Sequence, residues 1–237
     1  MFYSIKTSST SNKFILYKST LSYNKTFLTD KQLQSRSSSR SISELGSKSY
    51  ARSVRRAFAR TKLLAYFNSD LQFFITLTYK VNQLSVDTVL KDMKKFLRKE
   101  RKTKPELKYI YVFEQQKRGS IHIHMITNSE FDTYINSNGY KSLKNWGMGF
   151  TSIKQMNSSS FDKNFKSYLY LFKYMTKSQR VGKSFVHTSR NFDKITNCDY
   201  DKYINKLKGE NLIYREDIEF QTDNDEKHIF IKEYYQE

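Results

Sequence analysis

Two of the chain's four histidines lie in the segment Ile121-His122-Ile123-His124-Met125. Because side chains alternate across a β-strand, His122 and His124 would project from one face, roughly 6.6 Å apart along the strand. Two imidazoles placed in this way can chelate a divalent ion, while the apolar residues beside them face the core. The simpler alternative is a pair of polar residues on a solvated strand face.

A carboxylate would complete this set. The predicted strands Lys108–Glu114 and Ser120–Thr127 are joined by five residues that include a glycine, which is typical of a hairpin. A hairpin centred on Arg118 places Glu114 opposite His122, with Cβ atoms roughly 5 Å apart. Two imidazoles and a carboxylate suit Mg²⁺ or Mn²⁺ acting on a phosphodiester. A register slip of one residue would instead leave Glu114 as a surface carboxylate at a strand end.

A nucleophile could come from the predicted helix Phe161–Ser178. Tyr170 and Tyr174 are four residues apart and share a helix face, and Lys173 follows Tyr170 by three. A phenol with a pKa near ~10 becomes a useful nucleophile when a nearby cation or metal stabilises the phenolate. Tyr168 is a further phenol in the helix. With 18 tyrosines in the chain, such a pair can also belong to a packed aromatic face of a core helix.

These side chains need a scaffold of strands and helices. Besides the hairpin, the pattern predicts a helix over residues 50–69, a strand Phe73–Tyr79, a helix over residues 86–103 that ends before Pro105, and a strand Phe150–Met156. This order favours an α+β fold, a mostly antiparallel sheet with helices on one face. The first helix would turn four arginines mostly outward: Arg52, Arg55, Arg56 and Arg60.

Charge divides the chain. Up to Arg190 there are 35 basic and 11 acidic residues, a net charge of +24, whereas the remainder has 7 and 12, a net charge of −5. A basic body in which 16% of residues are aromatic favours nucleic acid as partner, the alternative being a solvated charged surface. The single cysteine excludes a disulfide framework and a thiolate zinc cluster. No apolar run reaches eighteen residues, so no membrane partner is predicted.

Composition predicts three regions. Residues 1–50 form a basic, Ser-rich arm that we expect to be poorly ordered, although it also resembles an organelle transit peptide. Residues 51–192 contain the chemistry-bearing segments, and residues 193–237 form an acidic extension.

Three segments, in order, resemble the motifs of the HUH-superfamily replication initiators of small single-stranded DNA phages and rolling-circle plasmids. They are Phe73–Tyr79, Arg118–His124 and Tyr170–Lys177. Trp146-Gly147 and the segment Gly182-Lys183-Ser184-Phe185 also fit that pattern. The resemblance extends over about residues 51–192.

The resemblance implies a five-stranded antiparallel sheet that holds the metal through His122, His124 and Glu114. It further implies that Tyr170 attacks a DNA phosphate and leaves a 5′-phosphotyrosine link and a free 3′-hydroxyl that primes synthesis. Tyr174 matches the second tyrosine of such enzymes, and Lys173 matches the lysine beside the nucleophile. The basic helix, Arg118 and Lys177 would contact the DNA.

The implied partners are single-stranded DNA at a replication origin, expected to fold as a hairpin, and host replication proteins including a helicase. An ATPase in this chain is not expected, because Gly182-Lys183-Ser184 ends like a P-loop but Lys177 stands where its first glycine should be. The expected compartment is the cytoplasm, with an organelle matrix as the alternative.

Other classes remain open at this point. Relaxases and compact transposases of the same superfamily differ in their number of histidines or tyrosines. A non-catalytic module with an RNA-recognition-like sheet could stack bases on the aromatic strand of residues 109–113, although no typical RNP segment is present. A structural protein that is merely solubilised by its charge is the third class.

Overall fold

The computed structural model describes residues 2–8, 13–19, 56–57, 59–68, 70–116, 119–156, 171, 186–198, 200–207, 209–221 and 227–236. The chain divides into two compact units, one of residues 51–192 and one of residues 1–50 together with residues 193–237. Each unit contains its own five-stranded antiparallel sheet. The predicted α+β fold is therefore confirmed, and the second sheet is an addition to it.

The elements are numbered along the chain. They are β1 (Phe2–Ser8), β2 (Lys13–Ser19), α1 (residues 59–67), β3 (Phe73–Leu77), α2 (Val86–Thr103), β4 (Tyr109–Gln115), β5 (Ile121–Thr127), β6 (Thr133–Ile135), β7 (Lys141–Leu143), β8 (Thr151–Gln155), β9 (His187–Thr188), β10 (Ile195–Cys198), α3 (Tyr200–Tyr203), β11 (Leu212–Gln221) and β12 (Lys227–Gln236). Among the described helices, none combines the length and the apolar character needed to cross a membrane.

The sheet of residues 51–192 has the strand order β8-β3-β5-β4-β9. Its central strands β3, β5 and β4 are apolar and rich in β-branched and aromatic residues, which suits strands covered on a face. Ile75, Ile123 and Met125 are fully buried in one core cluster with the apolar side of α2. The residues that alternate with them, including Thr76, His122 and His124, therefore belong to the opposite face of the sheet.

Helix α2 has the predicted bounds. The side chain of Ser85 caps its start by accepting a hydrogen bond from the Thr88 amide, and Pro105 follows its end. The buried stripe is Val89, Met93, Phe96 and Leu97, whereas the predicted members Val86 and Leu90 are only partly buried. The predicted face was thus slightly rotated from the observed one, because Phe96 takes a central place in the core.

A short hairpin of β6 and β7, which the sequence did not indicate, follows β5. Around it Phe131, Leu143 and Trp146 join the core under α2. The fully buried carboxylate of Glu100 accepts hydrogen bonds from Asn145 at 2.9 Å and from Lys104 at 3.3 Å. A buried carboxylate needs such partners, and this one ties α2 to the segment after β7.

The second sheet has the order β10-β1-β2-β12-β11 and combines residues from both parts of the sequence. Where the sequence predicts a poorly ordered arm, residues 2–8 and 13–19 are strands. The core of this unit contains Ile5, Phe14, Leu16 and Tyr235, against which Tyr200, Tyr203 and Leu207 pack. Burial of these aromatic rings stabilises a segment whose sequence is otherwise Ser- and Lys-rich.

A buried carboxylate links three strands of this second sheet. Glu233 on β12 accepts hydrogen bonds from Lys18 on β2 at 2.8 Å and from the Tyr235 hydroxyl at 2.6 Å. Arg215 on β11 lies 3.5 Å from the same carboxylate. Burial and the hydrogen bond to Glu233 raise the pKa of Tyr235 above its usual value, so this phenol is a structural donor.

Candidate active site

The β4–β5 hairpin sets the positions of the predicted metal ligands. Its register places Glu114 opposite His122, as the sequence predicted. The Gln116 amide donates to the carbonyl of Ser120, and the Gly119 amide donates to the carbonyl of Gln116. Gly119 has φ +88°, a left-handed conformation that glycine adopts without strain. The turn chemistry thus aligns Glu114 with the histidine strand.

His124 lies between a carboxylate and a hydroxyl. Its Nε2 atom is 2.9 Å from Oε2 of Glu114, and its Nδ1 atom is 3.1 Å from Oγ1 of Thr76 on the neighbouring strand β3. The side chain is 6% exposed. Burial lowers the pKa of His124 below its usual value, and the hydrogen bond and charge of Glu114 oppose part of that change. The ring is therefore neutral near pH 7, with one nitrogen protonated.

His122 is directed toward the hairpin turn. Its Nδ1 atom lies 3.2 Å from the side-chain amide nitrogen of Gln116. Because Nδ1 faces Gln116, Nε2 is the atom through which His122 would bind an ion. The amide of Gln116 can present either its NH₂ group or its oxygen to the ring, so it can partner either tautomer of the imidazole.

The fit of these residues to a divalent ion can be judged from the donor atoms. Two adjacent ligands of an octahedral Mg²⁺, each at about 2.1 Å, are themselves about 3.0 Å apart. The 2.9 Å separation between His124 and Glu114 matches this spacing. However, no three His, Cys, Asp or Glu side chains in the described part of the chain form a set that could hold a metal as they stand. The structure thus brings two of the three predicted ligands together, with His122 beside them on the same face.

The segment Trp146–Phe150 anchors the end of β3 next to this site. The Trp146 indole donates to the carbonyl of Thr78 at 2.8 Å, and the Thr78 amide donates to the carbonyl of Phe150 at 2.9 Å. A Cβ atom on Gly149 would overlap the Thr78 carbonyl, so only glycine fits this close approach. The Trp146-Gly147 pair noted in the sequence therefore has a packing role that holds β3, and with it Thr76, in place.

Most of the other predicted site residues fall outside the described part of the chain. These are Tyr168, Tyr170, Lys173, Tyr174 and Lys177 in the tyrosine segment, Gly182-Lys183-Ser184 beyond it, Arg118 in the hairpin turn, and Arg52 and Arg55 before α1. Leu171, beside Tyr170, is described; it is helical and fully buried. Arg56 and Arg60 are helical and exposed, as the prediction of outward arginines requires.

The strand considered for base stacking is turned inward. Tyr111 and Phe113 are each 5% exposed and belong to the core cluster under α2, with Tyr109 packed against it. His187 on β9 stacks on Tyr111 with 4.6 Å between ring centroids. These aromatic faces are consequently covered, and the alternative that places base stacking on residues 109–113 is wrong for this strand.

Two neighbours of the histidines were missed in the sequence. Thr76 was assigned a mainly structural place in its motif, and Gln116 was assigned none, yet each contacts one histidine. The signal for Thr76 was its position in an alternating strand, where it shares the face of Phe74. Nothing in the local sequence says that this face adjoins the histidine strand.

One comparison with known proteins informs this site. Residues 72–179 match a family model of replication-associated proteins, the one described by the name ORF2. The matched segment contains β3, the β4–β5 hairpin and the tyrosine segment. The match supports a replication initiator of the Rep type. No curated protein and no solved structure matches the chain significantly.

Proposed function

We propose that this protein nicks and rejoins single-stranded DNA at a replication origin and thereby initiates rolling-circle replication. The observation that carries the proposal is the array of Glu114, His124 and Thr76 on three adjacent strands, within the segment that matches the replication-associated family. A neutral, buried imidazole beside a carboxylate is an unusual arrangement for a purely structural strand face. It is what a phosphodiester-cleaving metal site requires.

His122, His124 and Glu114 are the residues that would hold Mg²⁺ or Mn²⁺. The bound ion would supply positive charge to the oxygens of the scissile phosphate. The protein contributes the orientation of the ligands: Thr76 can accept the Nδ1 proton of His124, which leaves the Nε2 lone pair on the side of Glu114. Gln116 can do the same for His122.

Tyr170 is the proposed nucleophile. Its phenolate oxygen forms a bond to phosphorus, the bond from phosphorus to the 3′-oxygen breaks, and the leaving 3′-oxygen takes up a proton from solvent. The products are a 5′-phosphotyrosine link and a free 3′-hydroxyl. Lys173 would stabilise the phenolate, and Tyr174 would attack in the later strand transfer. The spacing of these residues and their place in the family-matched segment support these roles.

DNA contacts are proposed for the basic residues around this segment. Arg56 and Arg60 offer exposed guanidinium groups on and beside α1, and Arg52, Arg55, Arg118 and Lys177 would extend the same positive surface. The single-stranded origin, presented in a hairpin, is the proposed substrate, with a host helicase and other replication proteins as partners. The cytoplasm is the proposed compartment, with an organelle matrix as the alternative.

A covalent-capture experiment tests the proposal. The purified protein is incubated with Mn²⁺ and a pool of random single-stranded oligonucleotides, and adducts are isolated on denaturing gels. Sequencing of the captured DNA would identify the nicked site, and peptide mass spectrometry would locate the modified residue. We expect an adduct on Tyr170 that disappears when Mn²⁺ is chelated.

Matched variants separate the roles. Tyr170→Phe should abolish the adduct, whereas His124→Ala should abolish it while leaving binding of the oligonucleotides largely intact. Tyr168→Phe serves as the control, because it removes a neighbouring phenol and should leave the adduct in place. An adduct on Tyr174 or Tyr168 would overturn the assignment of the nucleophile. Binding of the pool without any adduct, over a range of metals, would contradict the nicking function itself.

A further inference from the structure

The outer side of α2 carries a dense group of cations. From Lys91 onward, every exposed residue up to Lys102 is basic. The group called here the basic face consists of the six residues Lys91, Lys94, Lys95, Arg98, Lys99 and Lys102. On a helix of 3.6 residues per turn, these residues occupy the side opposite the buried stripe of Val89, Met93, Phe96 and Leu97.

No carboxylate compensates this charge. Of the acidic residues of α2, Asp92 accepts a hydrogen bond from the Tyr79 hydroxyl at 3.0 Å, and Glu100 is fully buried with its own partners. Asp87 lies in the first turn, before the basic face begins. None of the six residues makes an ion pair with another described residue, whereas Lys104 beside them pairs with Glu100 and Asp132.

This arrangement is unfavourable for the helix itself. The six residues are neighbours at spacings of three and four, where like charges repel and where alternating Glu and Lys would stabilise a solvated helix. A face that only kept the protein in solution would mix both signs. The unmixed face therefore points to an anionic partner that neutralises it.

The chemistry of the face selects among anionic partners. It offers five ammonium groups and one guanidinium in a row, and a row of charges matches a row of phosphates. The one aromatic residue of α2, Phe96, is buried, so the face has no platform for stacking unpaired bases. Sites for single strands combine cations with such platforms, whereas contact with a duplex backbone needs the cations alone.

We propose that the basic face of α2 binds the phosphate backbone of double-stranded DNA. Because α2 packs on the face of the sheet that carries Ile123 and Met125, this contact lies across the sheet from His122 and His124. The duplex contact is thus a second nucleic-acid site, separate from the site where a single strand would be cut. Its recognition is independent of base sequence, and it would hold the duplex beside the nicked strand.

Two variants with equal net charge test the proposal. In the first, Lys91, Lys95 and Lys102 are changed to Gln, which has a similar helix propensity. In the control, three exposed lysines away from α2 are changed to Gln: Lys141, Lys144 and Lys194. Binding of a short blunt-ended duplex is measured by fluorescence anisotropy over a series of salt concentrations, and thermal melting verifies that both variants are folded.

We expect the first variant to bind the duplex roughly tenfold more weakly at low salt and the control to bind it nearly as the wild type does. The slope of log K against log salt should become shallower by about 0.9 for each lost phosphate contact. Adduct formation with a single-stranded oligonucleotide should be unchanged in both, which separates this proposal from the nicking function. Equal losses in the two variants, no loss in either, or an equal loss of single-strand binding would each overturn it.

Discussion

Thr76 gives His124 a fixed direction. The ring of His124 has one proton near neutral pH, and its two nitrogens face different partners, Thr76 on one side and Glu114 on the other. If the proton is on Nε2, the ring simply donates it to Glu114. If the proton is on Nδ1, the Thr76 hydroxyl accepts it and Nε2 is available to an ion. The threonine therefore supports the tautomer that metal binding requires.

Replacement of Thr76 by Val should test this role. Val has nearly the same shape but cannot accept the Nδ1 proton, so we expect Mn²⁺ to bind about tenfold more weakly. Titration of Mn²⁺ followed by electron paramagnetic resonance measures this affinity without any DNA. Thr76→Ser retains the hydroxyl and should restore most of the affinity. Equal affinity in the Val variant and the wild type would show that Thr76 only packs.

The site was predictable as far as local periodicity reaches. The two-residue spacing of His122 and His124 and the length of the hairpin loop were enough to place Glu114 opposite His122. Thr76 is 48 residues from His124 in sequence, and its contact exists only because β3 pairs with β5. Which strands of a sheet become neighbours depends on the packing of the whole unit, which a local pattern does not contain.

Helices and strands were predicted unequally for a similar reason. The bounds of α2 follow from three agreeing signals, the Ser85 cap, the helical spacing of apolar residues and Pro105. Strands β6 and β7 have three residues each, too few for alternation to be recognised. Strand β9 has two residues and is held by the stacking of His187 on Tyr111.

Strand β9 should make stability sensitive to acid. Burial lowers the pKa of His187 to about 4, below the value near 6.5 of an unfolded chain. The unfolded state therefore binds a proton first, so stability is complete above about pH 6.5 and falls as the pH decreases toward 4. The decrease is at most about 1.4 kcal/mol per pH unit, and partial exposure of the ring makes it smaller. Urea unfolding at a series of pH values measures it.

The variant His187→Phe isolates this effect. Phenylalanine can stack on Tyr111 and Phe113 as the imidazole does, but it does not titrate. We expect its stability to fall less steeply between pH 6.5 and 4 than that of the wild type. His124 is present in both proteins and cancels from the comparison. Identical pH profiles would mean that acid acts elsewhere in the fold.

Across the whole chain, the main departure from the sequence-based expectation is the second sheet. Residues 1–50 and 193–237 were interpreted as separate extensions, a basic arm and an acidic tail. Instead, β2 pairs with β12, and β1 pairs with β10. Their opposite charges meet at Glu233, which binds Lys18. Pairings over such sequence separations leave no periodic trace, and composition alone predicted disorder because the arm is rich in Ser and Lys.

Removal of the Glu233 carboxylate should destabilise this second unit. In Glu233→Ala, Lys18 and the Tyr235 hydroxyl lose their acceptor, and we expect the free energy of unfolding to decrease by about 2–4 kcal/mol. Urea unfolding followed by circular dichroism measures the change. Glu219→Ala, at an exposed position on β11, is the matched control and should change stability little. Equal effects of the two substitutions would show that Glu233 is not a structural centre of the sheet.

The pairing of β2 with β12 also has a consequence for synthesis in the cell. Ribosomes produce β2 early, and its neighbour β12 follows only after roughly two hundred further residues. At about 5–20 residues per second, β2 waits about 10–40 s for that partner, while residues 51–192 have already emerged and can fold. A message broken before codon 227 would leave β2 with an open edge that attracts other chains. Only a product translated through residue 236 closes this sheet, so the sheet distinguishes full-length from interrupted products.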